Sequence, residues 1–324
     1  MKKFGVFGLI FVILVGLLGG CTNSEDGLKE NNTSKGKTQI VIATGGTSGT
    51  YYAVGAGLGK LVNKYSDNLN AVVQGTHGAV ENVRLVNSGE ADIGFGNSDA
   101  AYFGYEGIGP FEGQKQNIVG LMSLYKSGGQ MIVMEDSGYK SIPDLKGKKV
   151  NLGPAGSTVT EMSKVMFKAY GLDPEKDISP VYLSFAEGVD KVSDGDIDAS
   201  FIVSGIPTAA VISVSNTKDI RLISLSDGTI EKIVKEYPYY EGFTIPGGTY
   251  KGIDEDVQSL QLWTTLIVNS DMPEEIANEI TTIILDHSDE LLDVHSVAKD
   301  ISVETAQKMP IPLHSGSQKY FDKQ

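Results

Sequence analysis

Hydrophobic positions in this chain switch repeatedly between two periods. Ile40 to Ala43 is a short apolar run. It breaks into the loop Thr44-Gly45-Gly46-Thr47-Ser48-Gly49, after which Val54, Leu58, Leu61, Val62 and Tyr65 fall on one face of a helix. Strand, glycine-rich turn and helix in that order aim free backbone N–H groups and the positive end of a helix dipole at one point, which suits an anion. The layout returns at Val150-Asn151-Leu152, then Gly153 to Thr158, then a helical stripe of Val159, Met162, Met166, Ala169 and Tyr170 closed by Gly171. Gly46 and Gly153 lie 107 positions apart, and a second echo, Gly89 and Gly195, lies 106 apart. This repetition predicts an α/β fold of two lobes, each offering one glycine–hydroxyl loop to a shared cleft.

The remaining pattern fills in both lobes. Leu69 to Val73 and Ala91 to Phe95 read as strands, with a helix marked by Ala79, Val80, Val83 and Val86 between them. Such β-α-β-α-β alternation with short connections implies a parallel sheet covered on both faces. Gly104 to Gly113, with four glycines and a proline, reads as loop. Ile118 to Tyr125 and Gln130 to Glu135 read as two strands, with the crossing between lobes placed between them. The second lobe continues through a short helix at Ser141 to Gly147, strands at Ile178 to Leu183 and Ile197 to Val203, and a helix near Gly188 to Val192. Ser204-Gly205-Ile206-Pro207 opens another helix, and Ile220 to Leu225 is one more strand. Leu260 to Asn269 is a hydrophobic strand, and Ile276, Ile280, Ile283 and Ile284 line the helix after it. The expected division is residues 38–125 plus 258–324 for lobe 1 and 126–257 for lobe 2.

Composition alters the picture at the N-terminus. Lys2 and Lys3 precede an uncharged run from Phe4 to Gly20 that ends Leu18-Gly19-Gly20-Cys21, the anatomy of a secretory signal over residues 1–20. Cys21 is the only cysteine of 324 residues, and its position resembles a bacterial lipobox whose thiol receives a diacylglycerol. A lipidated, flexible tether over residues 21–37 and an extracytoplasmic, membrane-anchored lipoprotein are therefore expected. No thiol then remains for catalysis, disulfides or zinc. Without Lys2 and Lys3 the chain has 25 basic against 41 acidic residues, a net charge of −16, which argues against nucleic acid as a partner.

The chemistry-bearing motifs are few. Neither glycine loop matches a nucleotide P-loop, and Gly55-Ala56-Gly57-Leu58-Gly59 sits inside a helix and not at a dinucleotide-binding turn. His77, His287, His295 and His314 share no metal-ligand spacing, and no G-x-S-x-G elbow occurs. Asp194, Asp196 and Asp198 match a calcium loop only superficially. The pattern calls for no catalytic residue, metal or cofactor. Arginine occurs only at Arg84 and Arg221, outside the cleft loops, so an anionic ligand would depend on backbone N–H groups, hydroxyls and helix starts, with Lys126 as an available cation.

The stretches Thr44 to Tyr52, Glu81 to Asp92, Asn97-Ser98-Asp99, Asp144 to Val150, Gly153 to Thr158, Ile245 to Tyr250 and Ile311 to Gly316 together resemble the TAXI family, solute receptors of tripartite ATP-independent periplasmic (TRAP) transporters. The resemblance runs from about Ile40 to Tyr320. It implies a periplasmic-binding-protein-like fold of type II, a Venus flytrap with a parallel-rich sheet in each lobe. It also implies a non-enzymatic receptor that captures a small organic anion or amino acid, glutamate, glutamine or a dicarboxylate, and hands it to TRAP membrane subunits. From the loops themselves, the expected ligand-binding residues are Thr47, Ser48 and Tyr51 from lobe 1 and Gly156, Ser157 and Thr158 from lobe 2. Asn97, Ser98 and Gly205, on further loops, are expected to face the same cleft. A ligand sensor, or an extracytoplasmic enzyme on a similar scaffold, is the alternative.

Overall fold

The computed structural model describes residues 36–324, so the signal segment, Cys21 and most of the tether lie outside the described residues. The alternation read from the sequence gives β1 (Thr38–Ala43), α1 (Thr50–Tyr65), β2 (Leu69–Gln74), α2 (Ala79–Ser88), β3 (Ile93–Asn97) and α3 (Ser98–Glu106). Strand β1 pairs in parallel with β2 and β3. After the long strand β4 (Ile118–Met134) come β5 (Lys149–Asn151), α4 (Thr158–Ala169), β6 (Ser179–Val181), α5 (Phe185–Asp194) and β7 (Ala199–Ser204). Strand β5 pairs in parallel with β6 and β7. The chain continues through α6 (Ala209–Thr217), β8 (Ile220–Leu222), α7 (Asp227–Glu236), β9 (Glu241–Ile245), β10 (Val257–Asn269) and α8 (Glu274–Asp286).

The two parallel sets are joined edge to edge. The order β2-β1-β3-β10-β4-β7-β5-β6 runs through one ten-stranded sheet, with β8 added on β4 and β9 on β10. The joining strands β4 and β10 are antiparallel to each other and to their outer neighbours. Each half has its own core. Val54, Leu58, Phe95, Leu121 and Ile280 belong to a cluster in the first half, and Val150, Met162, Phe167, Phe201 and Leu260 to one in the second.

Two sequence expectations need correction. Ile118 to Tyr125 and Gln130 to Glu135 are not two strands but one, β4, of 17 residues. The Ser127-Gly128-Gly129 stretch that read as a break is mid-strand. A Cβ at Gly128 would stand 2.7 Å from Ile206 Cδ1, and one at Gly129 would stand 2.9 Å from Phe201 Cζ, so these glycines admit neighbouring side chains onto the strand. The glycine-rich stretch after Asn97 is likewise not loop from Gly104 onward: α3 runs to Glu106, and Gly107, in the left-handed region at φ 71°, ends it.

Candidate functional site

Five helices begin at one cavity. Gly49, Gly78, Asn97, Ser157 and Ser184 are the N-cap residues of α1, α2, α3, α4 and α5, and all five line a cavity of about 550 Å³. That volume lies in the range of small-molecule sites, roughly 300–1,000 Å³. Each helix start contributes a partial positive charge worth about 0.3–1 kcal/mol to a nearby anion. Among the lining residues the only acid is Glu187, and there is no lysine or arginine. Arg84 caps the Pro110 carbonyl, Arg221 pairs with Glu135, and Lys126 pairs with Glu241 at 2.6 Å over the Trp263 ring. None of these three cations lines the cavity.

Buried asparagines hold the loops that form the walls. In the first half, Asn82 Nδ2 donates to the Thr44 carbonyl at 2.5 Å and the Phe95 carbonyl at 2.7 Å, while its Oδ1 accepts from Thr76 Oγ1 at 2.7 Å. This fastens the β1–α1 loop and the turn before α2 to the end of β3. In the second half, Asn151 Oδ1 accepts from the N–H groups of Gly153 and Leu183, and its Nδ2 donates to Ser200 Oγ. Sequence reasoning missed both as site-building residues. Each sits within or just after an apolar stretch, and a fully buried amide must find hydrogen-bond partners.

Of the nine expected ligand residues, five line the cavity: Ser48, Tyr51, Asn97, Ser157 and Thr158. The Tyr51 hydroxyl donates to Asn97 Oδ1, and Asn97 Nδ2 reaches Thr158 Oγ1 at 3.4 Å, so the three link the halves across the cavity. Burial first, then the Tyr125 and Asp99 neighbours, pushes the Tyr51 phenol well above its ordinary pKa and keeps it a donor. The other four stand outside the lining. Thr47 and Gly156 are exposed at the loop tips. The Ser98 hydroxyl is buried without a hydrogen-bond partner, next to Asp99. Gly205 is buried, and a Cβ there would meet Thr50, Val297 and Tyr125 at 2.8–3.1 Å. Its carbonyl accepts from Thr50 Oγ1, while Ser204 Oγ accepts from Thr50 N and donates to Thr50 Oγ1. Gly205 thus joins the halves beneath the cavity. Expecting it in the cleft was wrong because Thr50 covers it.

The α/β architecture, two parallel strand sets joined by a pair of long antiparallel strands, matches solved periplasmic binding proteins in fold. The chain belongs to the NMT1-like family, whose model matches residues 42–324. Solved structures share the fold. The periplasmic aliphatic sulphonate binding protein SsuA from Escherichia coli is 17% identical at a TM-score of 0.50, with 88% of this chain and 83% of that chain covered. A binding protein component of an ABC phosphonate transporter from Pseudomonas aeruginosa is 12% identical at a TM-score of 0.53, covering 82% and 80%. The ligand-binding component of an ABC-type import system from Staphylococcus aureus, with zinc bound, is 14% identical at 0.54, covering 87% and 89%.

Proposed function

We propose that this chain is an extracytoplasmic, non-enzymatic solute receptor that captures a small carboxylate-bearing solute and delivers it to a membrane transporter. The observation that carries this reading is the convergence of five helix starts on one cavity whose lining holds no lysine or arginine. The three starts without a side-chain cap, those of α1, α2 and α3, supply together roughly 1–3 kcal/mol toward one negative charge, before any hydrogen bond is counted. Family membership and the shared fold support the class. The lobes divide as 38–125 plus 258–324 and 126–257, with β4 and β10 as the crossing, and closure about that crossing buries the solute. Cys21, as the lipid-bearing residue, tethers the receptor to the membrane.

Delivery to a TRAP transporter rests on the resemblance of the loop motifs, whereas the solved relatives named above are described as parts of ABC systems. Crosslinking in membranes followed by identification of the captured permease separates the two. TRAP membrane subunits support the present reading, and an ABC permease replaces it. Binding itself is tested by thermal shift against carboxylates and amino acids. A ligand at 100 times its Kd raises stability by about 2.7 kcal/mol. No shift with any carboxylate sinks the receptor reading. Cys21→Ala should leave the chain unlipidated and uncleaved at that site, read by mass spectrometry as a retained N-terminal segment without lipid; a wild-type chain carrying no lipid on Cys21 would show that Cys21 is not the anchor.

A further inference from the structure

The cavity is walled unequally. On the first half's side, Gly45, Gly49, Tyr51, His77, Gly78 and Asn97 present small or polar surface, and the N-cap residues of α1, α2 and α3 make no side-chain cap, though Thr50 N donates to Ser204 Oγ, Ala100 N to Asp99 Oδ1 and His77 N to Glu81 Oε2. The second half's side adds an apolar surface, Val159, Leu183, Phe185 and Val203, beside the polar Ser157, Thr158, Tyr182, Ser184 and Ser204. Its two helix starts are already occupied. Ser157 Oγ accepts from Thr160 N, and Ser184 Oγ accepts from Glu187 N while the Glu187 carboxylate closes the box on Ser184. The Ser184 hydroxyl and N–H hold Glu187 below the usual carboxylate range, so the second wall bears a negative charge of its own at neutral pH.

A second carboxylate laid along this wall would find capped helix starts, apolar side chains and a like charge. An apolar body would find contact. Resting on the receptor reading above, we infer that the solute carries one carboxylate and an apolar body, the carboxylate held by the α1, α2 and α3 starts and the body against Val159, Leu183, Phe185 and Val203. This selects against succinate, glutarate and glutamate.

The test is calorimetry on the full chain in detergent, with empty micelles as blank, using butanoate, hexanoate and phenylacetate against succinate, glutarate and glutamate. Affinity should rise about fourfold per methylene from butanoate to hexanoate, as expected for burial of apolar surface, and hexanoate should exceed glutarate by at least tenfold. Phe185→Ala should weaken phenylacetate about tenfold and leave butanoate within twofold. Glu187→Gln keeps an acceptor for the Ser184 cap but removes the charge; it should tighten glutarate about threefold to tenfold and leave hexanoate nearly unchanged. The inference is overturned by glutarate, succinate or glutamate outbinding hexanoate, or by a glutarate affinity that Glu187→Gln does not raise. Failure of every carboxylate in both series instead overturns the receptor reading beneath it.

Discussion

The two glycine loops share a sequence pattern and differ in how their polar groups are used. In the loop before α1, the helix start has no side-chain cap, and Thr50 directs its N–H and hydroxyl across to Ser204 and Gly205 of the other half. In the loop before α4, Ser157 caps its own helix and Thr160 Oγ1 donates to the Pro154 carbonyl at 2.8 Å. One loop keeps donors for a partner, and the other satisfies itself and serves as a wall. A repeated motif therefore marks a repeated fold element without marking a repeated role. The direction of each hydroxyl decides which is which.

The sharpest way to break the second loop is at its staple. A Cβ at Gly188 would stand 2.1 Å from Asn151 Nδ2 and 2.4 Å from Ser200 Oγ. Gly188→Ala should unhook the Asn151 amide from Ser200 and disturb the Gly153 and Leu183 contacts. The expected loss is about 3–4 kcal/mol in denaturant unfolding, overpacking added to buried groups left unpaired. Gly55→Ala in the first half presses on the Thr44 methyl at 2.4 Å and the Phe95 ring edge at 3.2 Å, with no hydrogen bond broken. It should cost about half as much, since it strains packing without leaving a buried polar group unpaired, the gain in helix propensity being common to both. Equal losses would remove the asymmetry.

Asp99 offers the next largest effect. It lies in the first turn of α3, fully buried, with Oδ1 accepting from Ala100 N and Oδ2 unpaired. Burial is the main cause that pushes its carboxyl up to about 7, with Glu161 from α4 adding slightly and the Tyr240 hydroxyl offsetting little. The unfolded chain releases this proton near the ordinary carboxylate value. Between about pH 4 and 7 the folded form therefore holds a proton that the unfolded form has lost, and this group's contribution to stability falls as pH rises through that window and levels off above it. Asp99→Asn should raise stability at pH 8 by about 2–3 kcal/mol, change little at pH 4, and flatten the profile between. A profile unchanged by the substitution would show that the carboxyl is not protonated in the folded form.

Much of this fold was readable from period alone. The strand-loop-helix units around Ile40 and Val150 came from apolar spacing, and their glycines carried the turns. Asn82 and Asn151 were not, because an amide stapling three loops has the same letter as an amide on the surface; only tertiary contact tells them apart. The glycines of β4 misled for a related reason. Gly128 and Gly129 are small because Ile206, Phe243 and Phe201 press on the strand, and nothing local distinguishes that from a turn. Ser48, Tyr51, Asn97, Ser157 and Thr158, singled out from the loops, line the cavity, whereas the uncapped start of α2 at Gly78 was not singled out, since glycine there advertises neither donor nor charge.

The smallest effects test the comparison most directly, because they set two serines of matching loops against each other. Ser157 is buried and its hydroxyl accepts from Thr160 N at 3.3 Å, so Ser157→Ala removes a cap. Loss of such a cap costs about 1 kcal/mol of stability. Affinity should hold within threefold, since the hydroxyl is already spoken for. Ser48 lines the cavity from a loop whose helix start takes no side-chain cap, so Ser48→Ala removes no support from α1. On the proposed receptor reading its hydroxyl donates to the solute carboxylate, and a hydrogen bond to a charged group is worth roughly 1.5–3 kcal/mol. Affinity for the tightest-binding monocarboxylate should fall at least about tenfold, one decade per 1.4 kcal/mol, with the unfolding midpoint unmoved. Calorimetry and denaturant melts on both variants read the two axes independently. Should Ser48→Ala lower the midpoint while leaving affinity intact, as expected of Ser157→Ala, the loops would share a role as well as a sequence.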